Sequence, residues 1–127
     1  MIDIESKVIN EVKTALETDY PNLPVYSMLV MTPETFPCVS VEEIDNYVHR
    51  NAMTTSRIEN VAEVTYEVNV YSNSKKGKKS ETKAIFQLID GALSKMGFIR
   101  SYTKPATLDN GTVYRLIARY EMLADDN

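Results

Sequence analysis

The sequence has very few of the residues that build disulfide frameworks and metal centres. Its 127 residues include one cysteine, one histidine and no tryptophan. A single cysteine, Cys38, excludes a disulfide within the chain, and a cysteine-based zinc site would need more ligands. His49 would likewise need partners elsewhere in the chain to form a metal site or a catalytic triad. A domain of this length can bury enough surface to fold without a disulfide or a metal site.

Long apolar runs and an excess of positive charge are also missing. No segment approaches the roughly 18 apolar residues of a membrane helix, and the acidic N-terminus lacks the layout of a signal peptide. The formal net charge is -4, whereas proteins that grip nucleic acids usually carry net positive charge. Apolar residues make up 43% and charged residues 25%, which is ordinary for a folded domain. We expect a cytosolic chain that forms one domain over residues 1–127.

Seven segments show a clear periodicity of apolar residues. Helical spacing or strand alternation predicts helices over 3–18 and 80–97, and strands over 25–31, 38–44, 62–72, 98–104 and 112–122. Asp3 and Ser80 are suited to cap the helix starts, and Gly97 is suited to end the second helix.

The order of these segments predicts an α+β domain with two layers. Two helices would pack on one mostly antiparallel sheet, because that arrangement buries every apolar stripe. The strands at 25–31 and 38–44 are expected to pair antiparallel across a turn. Residues 45–61 show neither period and are interpreted as a long loop. The acidic tail, residues 124–127, is expected to fray.

Residues 71–80, "YSNSKKGKKS", carry the densest positive charge in the chain. They stand between a predicted strand and a predicted helix, where phosphate-binding loops occur. A Walker-type loop fails at both ends, because Ser72 replaces its first glycine and Lys79 replaces its hydroxyl residue. The segment therefore indicates a solvated loop, or one that contacts a phosphate backbone or an acidic partner.

The other candidates for chemistry are weak. Cys38 and His49 could form a nucleophile pair, but a lone cysteine at the start of a strand is more typical of a buried apolar position. Glu42, Glu43 and Asp45 form an acidic cluster. Strand alternation places Glu42 and Glu43 on opposite faces, so they are not a ready pair for acid–base catalysis.

Tyrosine is well represented, with eight residues. Tyrosine suits protein interfaces because it offers apolar area together with a hydrogen bond. Tyr47 falls in the long loop and Tyr71 on the polar face of its strand. Both are candidates for an interface, although a local hydrogen bond would explain a partly exposed tyrosine equally well.

Four patterns follow one another in the second half of the chain: "VTYEVNVYSN", "KKGKKSETK", "AIFQLIDGALSKMGFIRS" and "GTVYRLIARYEM". In this order the sequence resembles the tail terminator and head–tail joining proteins of long-tailed bacteriophages and prophages of Gram-positive bacteria. The resemblance covers about residues 40–123, including the approach "SRIENVAEVTYEVNVYSN". It lies in ordered patterns and includes no catalytic signature.

The resemblance implies a small α+β subunit of the virion that forms a ring, commonly a hexamer. The ring would sit at the head-proximal end of the tail tube, stop tube growth and dock the head connector or stopper protein. Its partners would be other copies of itself, the major tail tube protein and the connector. No catalytic residue, metal, cofactor or membrane is implied. DNA would pass through without specific binding, and a net negative charge is tolerable in a DNA passage, because a strongly basic lumen would hold DNA back.

Within this family, the long loop and the lysine loop would reach neighbouring subunits or the tube. The candidate interface residues are Tyr47, His49, Arg50, Arg57, Tyr71, Lys75, Lys76, Lys78 and Lys79. Two alternatives stay open. The chain could be another neck or tail-completion component, or a small nucleic-acid-binding module that uses the lysines of residues 75–79.

Overall fold

The computed structural model describes residues 1–30, 32–48, 61–108 and 111–125. Two helices and five strands lie in these ranges, which confirms the predicted α+β class. In chain order they are α1 (Glu5–Leu16), β1 (Val25–Tyr26), β2 (Cys38–Val48), β3 (Val61–Ser72), α2 (Lys78–Met96), β4 (Ile99–Leu108) and β5 (Val113–Asp125). Within the described ranges, neither helix is both long and apolar enough to cross a membrane.

The strands form one sheet in the order β1-β2-β3-β5-β4. Every neighbouring pair is antiparallel except β1 and β2, which run parallel. The predicted antiparallel pairing of residues 25–31 with 38–44 is therefore wrong. The strand predicted over 25–31 ends at Tyr26, and in the segment that follows the Val30 carbonyl accepts a hydrogen bond from the Tyr71 hydroxyl of β3. Parallel strands need a crossing connection.

Both helices pack on one face of the sheet and enclose the main apolar core. The alternation predicted for β3 is confirmed, since its core-facing residues are all buried: Ala62, Val64, Tyr66, Val68 and Val70. At one end of this core the Phe98 ring meets Tyr66 and Tyr120 edge to face, with centroid distances of 5.6 and 6.4 Å. Such aromatic contacts add to the stability that burial provides.

The helix ends agree with the sequence in part. The N-cap of α1 is Ile4, one residue after the predicted Asp3, but the Asp3 carboxylate accepts a hydrogen bond from the Glu5 N–H at 3.0 Å. The second helix begins at Lys78, two residues before the predicted cap at Ser80. Gly97 ends that helix in the left-handed conformation, with φ of 107°, as predicted.

Three strands extend further than the alternation predicts, and one of them is β4, which continues beside β5 to Leu108. Strand β2 continues to Val48, so the first part of the predicted long loop is strand, while residues 49–60 lie outside the described ranges. Strand β5 continues to Asp125, and Ala124 is buried, so the tail is not frayed at these two positions. The cause is shared for β2 and β5, because β3 offers backbone partners to both strands along its first half.

Gly91 gives a direct test of the helix energetics. It is exposed in the middle of α2, and a methyl group there would contact nothing within 4 Å. We expect Gly91→Ala to raise the free energy of unfolding by up to about 1 kcal/mol, because alanine is the better helix former. Gly97→Ala is the matched control and should lower it by about 1 kcal/mol, because its positive φ strains a Cβ. Urea denaturation measures both, and a destabilised Gly91→Ala variant would contradict the packing described.

Candidate interaction surface

The face of the sheet opposite the helices differs from one end to the other. One end is covered by the connection between β1 and β2, and the middle carries paired polar side chains. The other end is open. At that end three large apolar side chains are exposed together: Tyr47, Ile99 and Leu123.

The covered end is built on Tyr71, which is 1% exposed. It packs with Cys38 and Val113, and Phe36 lies over this group. The Arg115 guanidinium stands 5.6 Å from the centre of the Tyr71 ring, a cation–π distance. Burial raises the pKa of the Tyr71 hydroxyl. The sequence makes Tyr71 a candidate for a subunit interface, but its own chain buries it, so it offers no surface to a partner.

The middle zone is a ladder of polar side chains across three strands. The Arg119 guanidinium bonds the Glu67 carboxylate at 3.1 Å, and the Arg115 guanidinium donates to the Asn69 side-chain oxygen at 2.8 Å. The Asn69 amide in turn donates to Glu67 at 3.3 Å, and Arg119 lies over the Tyr102 ring. Each arginine here already has a partner within the chain.

The open end is formed by two rows of residues that face one another across the strands. We call it the sheet-end patch, and it consists of Tyr47, Glu63 and Leu123 in one row and Asp45, Thr65, Glu121 and Ile99 in the next. Directly opposed residues share a face of a sheet, so all seven side chains project away from the helices.

The sheet-end patch combines apolar area with negative charge. Tyr47, Ile99 and Leu123 are 63, 75 and 58% exposed, and they line a shallow depression of about 390 Å³. Single exposed apolar residues are common on proteins, whereas a contiguous group of large ones marks an interaction site. The three carboxylates of the patch are exposed, and no cation of the described residues pairs with them.

The predicted lysine loop lies at the far end of β3 from the sheet-end patch. Lys75, Lys76 and Lys79 are exposed, and Lys78 is half-buried at the start of α2. None of the four forms an ion pair within the described ranges. Nine strand positions separate Glu63 from the end of β3, which is about 30 Å.

The structure therefore keeps two groups of predicted interface residues apart. Tyr47 belongs to the sheet-end patch, and the lysines of residues 75–79 lie at the opposite end. His49, Arg50 and Arg57 fall outside the described residues.

The acidic cluster of β2 is divided between the two faces, as the alternation predicts. The Glu42 carboxylate accepts a hydrogen bond from the Leu29 N–H at 2.7 Å on the open face. Glu43 lies on the helix side, where it accepts hydrogen bonds from Asn46 at 3.2 Å and Tyr66 at 3.4 Å. Burial raises the pKa of Glu43. Among the described residues there is no group of three potential metal ligands.

The interpretation of the sequence misses Ile99 and Leu123. Each is an apolar residue at a strand position that the alternation turns away from the core. Phe98 is buried beside an exposed Ile99, and Leu123 follows the half-buried Met122. The predicted strand stops at 122, so it assigns Leu123 to neither face. An apolar residue at a position that alternation turns outward is the pattern that identifies such a patch.

Comparison with models of protein families and with curated proteins finds no match to this chain. The candidate surface is therefore described from its own geometry. That geometry is suited to binding a protein surface through apolar contact and charge.

Cys38 provides a test of the covered end. Its side chain is fully buried, and burial raises the pKa of the thiol from 9.0 to about 11. We expect no reaction with a thiol reagent at neutral pH in the folded protein and complete reaction in denaturant, because the thiolate is the reactive form. Absorbance of the released chromophore measures both, and rapid labelling of the native protein would contradict the described burial.

The same shift gives a pH dependence. The folded state binds this proton more tightly than the unfolded state, so the stabilisation is complete below pH 9 and is lost as the pH rises through about 11. Urea denaturation across this range should show a smaller loss for Cys38→Ala than for wild type. An equal loss would contradict the assignment to the thiol.

Proposed function

We propose that this chain is a structural subunit of a long-tailed phage: a tail terminator or head–tail joining protein. It forms a ring at the head-proximal end of the tail tube, stops tube growth and docks the head connector. The observation that carries the proposal is the order of β3, the lysine loop, α2 and β5. These are the segments on which the resemblance rests, and they form the centre of the sheet with its adjoining helix.

The chemistry of the sheet-end patch supports a protein as the partner. Tyr47, Ile99 and Leu123 offer large apolar side chains, and tyrosine is enriched at protein interfaces. Three carboxylates surround them, so a phosphate backbone would be repelled from this face. A subunit that binds other proteins and lets DNA pass fits both properties.

The lysine loop favours one alternative. Four lysines without an acidic partner in the described ranges are the kind of group that binds a phosphate backbone. The second candidate function is therefore a small nucleic-acid-binding module. A different neck or tail-completion role uses the same surfaces as the first proposal, and the neighbouring genes separate those two.

The tube-capping function is tested with tail tubes assembled from the major tail protein that is encoded beside this chain. We expect the purified protein to sediment with the tubes and to stop their further growth. The double variant Tyr47→Ser and Leu123→Ser should bind at least roughly tenfold more weakly, because the patch supplies the apolar anchors of a protein interface in the ring, and such anchors dominate the binding energy. Sedimentation and tube length in electron micrographs are the measurements.

Met28→Ser is the matched control for this experiment. Met28 is 71% exposed but lies outside the sheet-end patch, so its loss should leave binding unchanged. Wild-type protein that neither sediments with tubes nor limits their length would remove the proposed function. The absence of genes for a tail tube protein and a connector on either side would do the same.

The nucleic-acid alternative is tested at the lysine loop. If that function holds, replacing Lys75, Lys76, Lys78 and Lys79 by serine should weaken DNA binding and flatten its salt dependence, because fewer counterions are released. Fluorescence anisotropy of labelled DNA at several salt concentrations measures both. For a tail subunit we expect no measurable binding by the wild type even at low salt, and strong binding would favour the alternative.

A further inference from the structure

The two unpaired charged surfaces of this molecule have opposite sign. The sheet-end patch carries the carboxylates of Asp45, Glu63 and Glu121, and the lysine loop carries four ammonium groups. They lie at opposite ends of β3, about 30 Å apart, so one copy cannot bring its own loop to its own patch. Two copies placed head to tail can.

We propose that the sheet-end patch of one copy binds the lysine loop of the next copy. This deepens the proposed function, on which it rests for the ring, by assigning the contact between neighbouring subunits. The long methylene stems of the lysines can cover the apolar side chains of the patch while their ammonium groups reach the carboxylates. The face of Tyr47 is also a favourable position for a cation.

Charge also determines which pairs of surfaces can meet. Two patches brought together would oppose three carboxylates with three carboxylates, and two loops would oppose lysines with lysines. Like charges so placed disfavour any contact in which a surface meets its own copy. The remaining contact joins two different surfaces, and repeated head to tail it generates a ring when its rotation closes, whereas made reciprocally it gives a two-fold dimer. The size of the assembly distinguishes the ring from the dimer.

Addition of strands at the β4 edge of the sheet is a competing way to join copies, and the structure of that edge opposes it. The outer strand β4 includes Pro105, which has no N–H to donate, and the charged Lys104. Its pairing with β5 also shifts register between Arg100 and Tyr102. These features protect the β4 edge from further pairing.

Charge reversal tests the contact. One variant carries Lys75→Glu, Lys76→Glu and Lys79→Glu; the other carries Asp45→Lys, Glu63→Lys and Glu121→Lys. All six positions are exposed, so both variants should keep the fold, which circular dichroism checks. We expect wild type to assemble at low salt, and each variant alone to stay monomeric, as measured by analytical ultracentrifugation.

The decisive arm is the equimolar mixture of the two variants. The reversed loop of the first then meets the reversed patch of the second, and the remaining loop and patch are native. We expect the mixture to assemble to the size of wild type, with the two variants alternating.

Neutral replacements at the same positions provide a second series. One variant carries Lys75→Gln, Lys76→Gln and Lys79→Gln; the other carries Asp45→Asn, Glu63→Gln and Glu121→Gln. Each should weaken assembly, and their mixture should not reach the size of wild type, because a neutral loop gains no charge attraction from a neutral patch.

Two control variants change as many charges elsewhere. Lys13→Glu, Lys83→Glu and Lys95→Glu form the first, and Glu11→Lys, Glu17→Lys and Asp19→Lys form the second; all six positions are exposed outside the two surfaces. Both should assemble as wild type does.

The outcomes separate this contact from the proposed function. Reversal variants that assemble alone like wild type, a mixture that stays monomeric, or a wild type that never self-associates overturns the contact. If the wild-type protein still binds and caps tubes in any of those cases, the proposed function holds although the contact does not. If the mixture is restored but no form binds tubes, the contact holds and the tail function fails.

Discussion

Everything else in the structure depends on the pairing of β3 with both β2 and β5. This strand lies at the centre of the sheet and has a partner on one side along its whole length and on the other from Ala62 to Tyr71. Its alternation sends Val64, Tyr66 and Val68 towards the helices and sends Glu63, Thr65 and Glu67 to the opposite face. A register shift of one residue would exchange these two sets, so the apolar core also fixes the composition of the open face.

The same strand explains how charge is separated along the molecule. Its first residues lie in the acidic sheet-end patch, and its last residue leads into the lysine loop. Between them, Arg119 and Arg115 are already bound to Glu67 and Asn69, so neither arginine is free to pair with the patch. The net charge of -4 is therefore unevenly distributed: the sheet-end patch is acidic and the lysine loop is basic.

The parts of the fold that could be predicted are those set by local patterns. The alternation in β3 and the spacing in α2 depend on neighbouring residues, and Gly97 ends its helix for a local reason. The parallel pairing of β1 could not be read in this way, because it depends on where the connection after Tyr26 travels. For Tyr71, alternation identified the correct face, but the cover that buries it comes from the distant Phe36. The sheet-end patch was only partly visible, because it needs the register that brings Ile99 and Leu123 beside Tyr47.

The two ends of the open face differ in whether the chain itself buries their apolar side chains. At the covered end the chain itself lays Phe36 over Tyr71 and Val113, which removes their apolar surface from water. The sheet-end patch has side chains of similar size, and burying each fully would contribute about 1.5–3 kcal/mol. No described segment covers Ile99 or Leu123, so that contribution is available to a binding partner. The carboxylates around them favour a cationic partner, and the chain presents such a surface at its other end.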